Sequence, residues 1–569
     1  MIMKYLKHIK SKIKIASIVI AVAVFTVSCE DYLDVNTDTD NPTVAPLNQL
    51  LTNVQLGIST TTDFNNLMGD HLSVYTHQFT QRGEADQYGV QAASILLQNE
   101  WNNTYLTLTD IESLISQAEV SGDLVYVGLG QMLKAYLMSV AVDLWGDVPF
   151  TEATQLEGGT VSPVFDDQEF VYQSIFDLID LAKSNIADGA GTNVPTTDDL
   201  FYGGDTSKWI KFANTFKLKL FNQVRLSSFF DASSFNVLVN ENNFFTSNAD
   251  DFQFNHTANQ SPTDERNSLF LGAYGGTQVS YYLSPWFYEI LKGWNPNIHT
   301  ANPDPRIPYY WVNQLTPGEF PPDQGDVETG NPKADYWDAS TGFFSIRFGS
   351  IGPDRDHAVQ NSATFPGIFP AGGMYDDGSG PTISINSGTG VAPHRILTYD
   401  EFLYIQAELI HSGLIGGNAS AKLNEAIQAS FAKVDQVVAG TGTTQAVPVL
   451  TGSAAVNIFI NNIISEFDAA SPDKQLEIIM TQKWVATFGD SHDQFNDYRR
   501  TGYPVLADPN GSSPEYQLDN ADGFPLLDSQ TTLNAQPQLS FFWPQREINL
   551  NQNAPDQKNP ETYSIFWDN

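Results

Sequence analysis

Apolar residues recur at helical spacing in two blocks of this 569-residue chain, and between the blocks they do not. This pattern constrains the fold most, because a stripe at i, i+3, i+4 and i+7 fits one face of a helix and does not fit a strand. In the first block Trp101, Tyr105, Leu108 and Ile115 mark one stripe. Leu129, Met132, Leu133, Tyr136, Leu137 and Val140 mark a second, with Gly146 as its stop. Val171, Ile175, Leu178, Ile179, Ala182 and Ile186 mark a third, which Asp166 and Glu169 are placed to cap. Trp209, Phe212, Phe216 and Leu220 mark a fourth. In the second block Thr398 and Glu401 read as a capping box ahead of Phe402, Ile405 and Leu409, with Gly413 beyond. Ser471-Pro472 sets an N-cap before a proline at the first helical position, and Leu476, Ile479, Met480, Trp484 and Phe488 follow on one face.

Residues 228–395 are dense in Gly, Pro, Asn and Asp, as in Pro303-Asp304-Pro305, Pro321-Pro322, Gly372-Gly373 and Asp376-Asp377-Gly378. They predict long ordered loops and short strands. The chain thus reads as mostly α, a single domain over 47–569. Its helical core covers about 47–227 and 396–500, and the loop-rich insert packs on that core. No clean 34-residue repeat is present, although the stripes are compatible with paired antiparallel helices.

The first 28 residues read separately. Lys4, Lys7, Lys10, Lys12 and Lys14 precede an apolar run over 15–28. The run falls short of the roughly 20 residues a membrane-spanning helix needs, and it fits the apolar part of a secretory signal. No later stretch has 18 consecutive apolar residues, so no transmembrane helix is expected beyond it. Cys29 closes the run and is the only cysteine, so no disulfide can form within the chain. A small-residue stretch ending in cysteine at this place looks like a bacterial lipoprotein signal, with Cys29 lipidated. Thr26 stands where that signal usually has leucine. Two or more acyl chains on Cys29 would anchor a soluble domain stably. Residues 29–46, acidic and turn-rich, read as a tether.

The formal charge is -38, which repels nucleic acid and anionic lipid and suits neutral or cationic ligands. Motifs for covalent chemistry are missing. There is no H-E-x-x-H, and His71 and His77 are six residues apart, off the metal-binding spacing. There is no G-x-S-x-G, and Gly128-Leu129-Gly130 lies inside a helical stripe without a third glycine. With 66 acidic residues, some carboxylate pair will stand at glycosidase distance by chance, so acids do not discriminate. Asp354-Arg355-Asp356 and Asp376-Asp377 could hold calcium, although acidic turns of this kind are more often simply solvated. No other cofactor is expected.

Six segments, in order from residue 29 to 551, resemble the SusD/RagB family of nutrient-binding lipoproteins. They are Cys29-Glu30-Asp31-Tyr32-Leu33-Asp34 with Asn41-Pro42-Thr43; Asp143-Leu144-Trp145-Gly146-Asp147-Val148-Pro149-Phe150; Asp205 to Leu218; Leu397 to Glu408; Gln482-Lys483-Trp484 with Tyr498-Arg499-Arg500-Thr501-Gly502-Tyr503-Pro504; and Trp543 to Asn551. Each also has a structural reading. Gly146 permits a positive φ at a helix end and Pro149 prevents continuation. Arg499 or Arg500 is expected to pair with a buried carboxylate such as Asp143 or Glu408.

The resemblance implies a SusD-like fold of tetratricopeptide-like helix pairs with a loop-rich, ligand-facing region about 228–395. It implies no catalytic activity. It also implies a place on the cell exterior as lid to a SusC-like TonB-dependent outer-membrane transporter, to which oligosaccharides, or in some members peptides, are handed. A sugar site needs aromatic faces and paired donors and acceptors. Two regions offer them: Tyr75, Gln78, Arg82, Asp86 and Tyr88; and Tyr274, Tyr281, Tyr282, Trp286, Trp294, Trp311 and Trp337. Trp101 is expected in the core. A peptide-binding member, a surface glycoside hydrolase and a structural lipoprotein are the alternatives.

Overall fold

The computed structural model describes residues 45–64, 67–81, 87–276, 281–321, 335–349, 361–507 and 536–568. The signal segment, Cys29 and the tether up to residue 44 lie outside them, as do Arg82, Asp86, Asp354 and Asp356.

The first helical block forms α1 (Leu47–Thr62), α2 (Ile95–Ser121), α3 (Leu124–Trp145), α4 (Gln168–Asp188) and α5 (Thr206–Val224). Each packs on its neighbour in sequence, except that α1 skips to α2 across an irregular segment. The second block forms α6 (Tyr399–His411), α7 (Ala419–Gly440), α8 (Ala454–Ala469), α9 (Pro472–Ala486) and α10 (Ser491–Thr501). There α6 packs on α7, α7 on α8 and α8 on α9. A last short helix, α11, covers Gln545–Leu550.

α3 departs from the amphipathic reading: nearly every residue from Val125 to Trp145 is buried, so it is a central helix covered on all sides. Among the described residues it alone is long and apolar enough to cross a membrane. Its most apolar stretch is 94% buried inside the protein, as befits a core helix. The glycines of Gly128-Leu129-Gly130 let its neighbours approach. A Cβ on Gly128 would stand 2.6 Å from Ile186 Cγ1 and 2.8 Å from the Ala182 carbonyl oxygen, both on α4.

The capping expectations hold in part. Ser471 caps α9, its hydroxyl accepting from Lys474 N–H, with Pro472 at the first helical position. Asp167, not Asp166, caps α4 by accepting from the Glu169 and Phe170 amides. Asp166 instead accepts from the Phe150 and Thr151 amides, tying down the loop after α3. Thr398 occupies the cap of α6 without a side-chain bond, and Glu401 turns to the Lys483 ammonium 3.4 Å away, so no capping box forms.

Four two-stranded antiparallel sheets form, with all strands in the insert or at its edge except β1, which comes from the first block. Their strands are β1 (Phe79–Gln81), β2 (Phe252–Phe254), β3 (Tyr281–Leu283), β4 (Trp311–Val312), β5 (Asp335–Asp338), β6 (Phe343–Ile346), β7 (Phe365–Pro366) and β8 (His394–Leu397). They pair β1–β3, β2–β8, β4–β7 and β5–β6. One apolar core runs through helices and insert alike. Arg306 of the insert is fully buried, pairing with Asp304 and donating to Ser430 on α7 and Gln482 on α9.

The segment after α11 closes the core of the first block. Trp567 is fully buried; its indole N–H donates to Asp143 Oδ1 at 3.0 Å, and the Arg499 guanidinium lies 4.7 Å over its ring. Asp143 also accepts from the Tyr172 hydroxyl and from Asn496; burial raises its pKa, against the pull of His492, Tyr172 and Arg499.

Candidate functional site

The structure joins the two regions singled out in the sequence: β1 pairs with β3, setting Gln81 opposite Tyr281. Yet most of the candidates point inward. Tyr75 stacks on Phe541 at 5.6 Å and donates to the Tyr88 carbonyl. Gln78 spans from the Trp484 carbonyl (2.7 Å) to the Gly489 amide (3.0 Å). The Tyr88 hydroxyl meets His77 Nε2 at 2.9 Å. Tyr274 donates to the Pro366 carbonyl, and the Trp286 indole to that of Val505. Tyr282 and Trp311 are fully buried. These rings hold strands and loops together and present no face to a ligand. Tyr281, Trp294 and Trp337 are half-buried. Tyr281 sets its edge against Phe64, Trp294 carries the Lys292 ammonium 5.1 Å over its ring, and Trp337 meets the exposed Phe320 at 5.3 Å.

An open concavity lies between the start of α2, the loop 149–163 and α11. Two adjoining cavities of about 580 and 480 Å³ share Gln98, Arg546 and Leu550 and so form one groove. Its position follows from local packing. Trp101, only 4% exposed, sits with its edge at the floor, 5.0 Å from Trp145. Phe165 stacks on Trp101, Trp543 meets Phe165 edge-on, and the Lys558 ammonium caps Trp543 at 4.6 Å. This aromatic column fixes the wall. Tyr105 is half-buried and donates to the Pro149 carbonyl at 2.9 Å; burial, with Glu547 nearby, pushes its hydroxyl well above the usual range, so it stays a neutral donor.

Polar groups line the rest. Gln98 donates to Asn102, Gln545 to Asn549, and Asn551 to both Glu547 and the Pro163 carbonyl. The rim carries exposed aliphatic side chains, Ile95, Leu106, Val161 and Leu550, each about two-thirds exposed or more. An aromatic edge, apolar walls and several amides make a surface that can take the C–H face of a ring while pairing its hydroxyls. Residues 545–551 stand out in the sequence only as a family-like block. Their partners in the groove lie some 390 to 450 positions away, beyond the reach of local pattern.

Among the described residues one cluster of acidic groups stands close enough together to hold a metal ion. Glu401, Asp490 and Asp493 bring oxygens within 4.8 Å of one another, but Lys219 pairs with Asp493, and Lys483 stands 3.4 Å from Glu401 and 2.7 Å from Asp497. The two ammonium groups supply the positive charge an ion would bring. Burial raises Glu401 and Asp490; Asp493, which burial alone would also raise, is held low by Lys219 and His492. At the acidic turn, Asp376 accepts from the Gly378 and Asn313 amides and Asp377 from that of Ser379, so both carboxylates serve the turn.

Residues 39–520 match a family model described as SusD-like, starch-binding associating with outer membrane. No curated protein matches the chain. Solved structures resemble it along nearly its whole length. A Bacteroidetes SusD-like protein aligns with a TM-score of 0.65 and 20% identity, covering 92% of this chain and 100% of its own. A SusD homologue from Bacteroides fragilis gives 0.61 and 19%, covering 92% and 99%. A chitin-binding SusD homologue from Flavobacterium johnsoniae gives 0.60 and 18%, covering 91% and 98%.

Proposed function

The chain belongs to the SusD-like family, and on that premise we propose that it captures oligosaccharides at the outer surface of the outer membrane and passes them to a SusC-like TonB-dependent transporter. It performs no covalent step on them. The family description joins glycan binding to the outer membrane, and one structural relative binds chitin. The observation that carries the reading here is the groove, whose aromatic edge, apolar walls and row of amides suit a chain of sugar rings. Anchoring through lipid on Cys29 rests on the sequence around that residue.

Calorimetry on the purified protein with starch-derived, chitin-derived and plant oligosaccharides and a peptide panel tests it. Binding to at least one oligosaccharide series, without release of shorter products, is expected. Binding to peptides alone would replace the substrate class, and product release would make the protein a hydrolase. Mass spectrometry of the membrane-extracted protein should find acyl chains on Cys29.

A second seat is supported by the meeting of β1 and β3, which places Tyr281 beside Gln81, with Trp294 and Trp337 also part-exposed in the insert. Substitutions at the two places distinguish them.

A further inference from the structure

Arg546 is the one exposed arginine among the described residues. The other seven are wholly or partly buried, and each meets a carboxylate, a carbonyl or an aromatic ring. Arg546 meets none of these among the described residues, although the chain carries 66 acidic side chains against 28 basic ones. It stands where the two cavities of the groove join. Among the described residues around the smaller cavity it is the only charged side chain, beside Ser94, Gln98, Gln545 and Asn549. Around the larger cavity its charge is matched by Glu547, whose carboxylate accepts from Asn551.

Resting on the oligosaccharide reading above, we propose that the Arg546 end of the groove takes a sugar unit bearing one anionic group, a carboxylate or a sulfate ester, within an otherwise neutral oligosaccharide. Hydroxyls are served by the amides already present. A guanidinium adds a planar fork of donors that matches a carboxylate or sulfate with two parallel hydrogen bonds. In so acidic a protein an exposed arginine with no ion pair to a carboxylate among the described residues is surplus to surface pairing, and its place at the cavity junction gives it a ligand to meet. The same acidity limits the number of charges. Glu547 on the wall and the field of the whole protein oppose a polyanion, so the remaining rings are neutral.

The test uses matched probes on the full protein. Xylohexaose is compared with a xylohexaose carrying one glucuronic acid, and chitohexaose with a chitohexaose carrying one sulfate ester. The acid-bearing member of at least one pair should bind about tenfold tighter, the weight of one charge-assisted bidentate contact; the pair that shows it identifies the anion as carboxylate or sulfate. Arg546→Gln should bring that ratio to about one, and Arg546→Lys should keep part of it. Arg546 is exposed and unpartnered, so an unchanged thermal melt verifies that the variants fold. Equal binding within both pairs, or a preference that survives Arg546→Gln, overturns the inference and leaves glycan capture standing. Binding of an acidic peptide that depends on Arg546, with no acid-bearing sugar bound, overturns it in favour of a peptide. No binding by any oligosaccharide overturns the capture reading as well.

Discussion

Arg500 lays its guanidinium on the Glu408 carboxylate, with Nη2 2.9 Å from Oε2 and both side chains shut away from solvent. Arg225 reaches the same carboxylate at 2.9 Å, Asn222 donates to it at 2.8 Å, and Asp497 shares Arg500. The carboxylate on α6 thus joins α5 to α10. Removing one partner of such a buried network leaves charge without compensation. Glu408→Gln should therefore destabilise the fold by about 3–5 kcal/mol, read as a lower urea midpoint. A loss below about 1 kcal/mol would mean that Asp497 alone satisfies both arginines.

Stability should fall in acid in two stages. Burial lowers His77 to about 3 and His71 to about 4, below their usual value of 6.5. Their folded forms stay neutral while the unfolded chain takes up protons, so stability is complete above about pH 6.5 and declines as pH falls towards 4. The slope is up to about 1.4 kcal/mol per pH unit for each histidine. His77→Gln should flatten it. The second stage belongs to buried carboxylates held low by their partners, such as Asp63, Asp493 and Glu408, the last of which burial would raise but Arg500 and Arg225 hold below the usual carboxylate range. Their contribution is present above the unfolded carboxylate pKa and is lost as pH falls through the folded ones. Urea midpoints measured from pH 8 to 3 should show both stages.

Gly146 ends α3 with φ 72°, and a Cβ there would stand 2.6 Å from Tyr563 Cε1. Both the backbone and the contact oppose any other residue. Gly146→Ala should cost about 1–3 kcal/mol, seen as a lower melting temperature. Combining it with Tyr563→Ala relieves the contact but not the backbone, so only part of the loss should return.

In the groove, Tyr105→Ala and Asn102→Ala should each weaken the best oligosaccharide of the panel, Tyr105→Ala by about tenfold. Asn102 is exposed, so its loss of binding is free of folding effects. Trp337→Ala should leave affinity unchanged. If Trp337→Ala abolishes binding and the groove variants do not, the seat moves to the strand region.

The helices were legible because their stripes are local. Trp209, Phe212 and Phe216 line the buried face of α5, and Leu476 to Trp484 fall on α9. The pairing of Arg500 with Glu408 was legible as one of a few options, since an arginine in an acidic chain must find a carboxylate. The candidate aromatics were not separable by sequence. Tyr and Trp serve core and surface equally, and what decides is a distant acceptor: Trp286 finds the Val505 carbonyl 219 positions away. α3 misled for a related reason. Its stripe is real, but helices and loops from both ends of the chain cover the other sides.

The buried contact between Trp567 and Asp143 spans 424 positions. A chain that emerges N-terminus first, from a ribosome or through a pore, has all of α1 to α5 in hand long before the ring that plugs them. Asp143 then has Tyr172 of α4 as a donor, but the Trp567 indole that completes its surroundings comes last. Non-local closure of this kind is slow. Completing the first helical block is thus a non-local step, and it should be slow against the formation of α1 to α5 themselves.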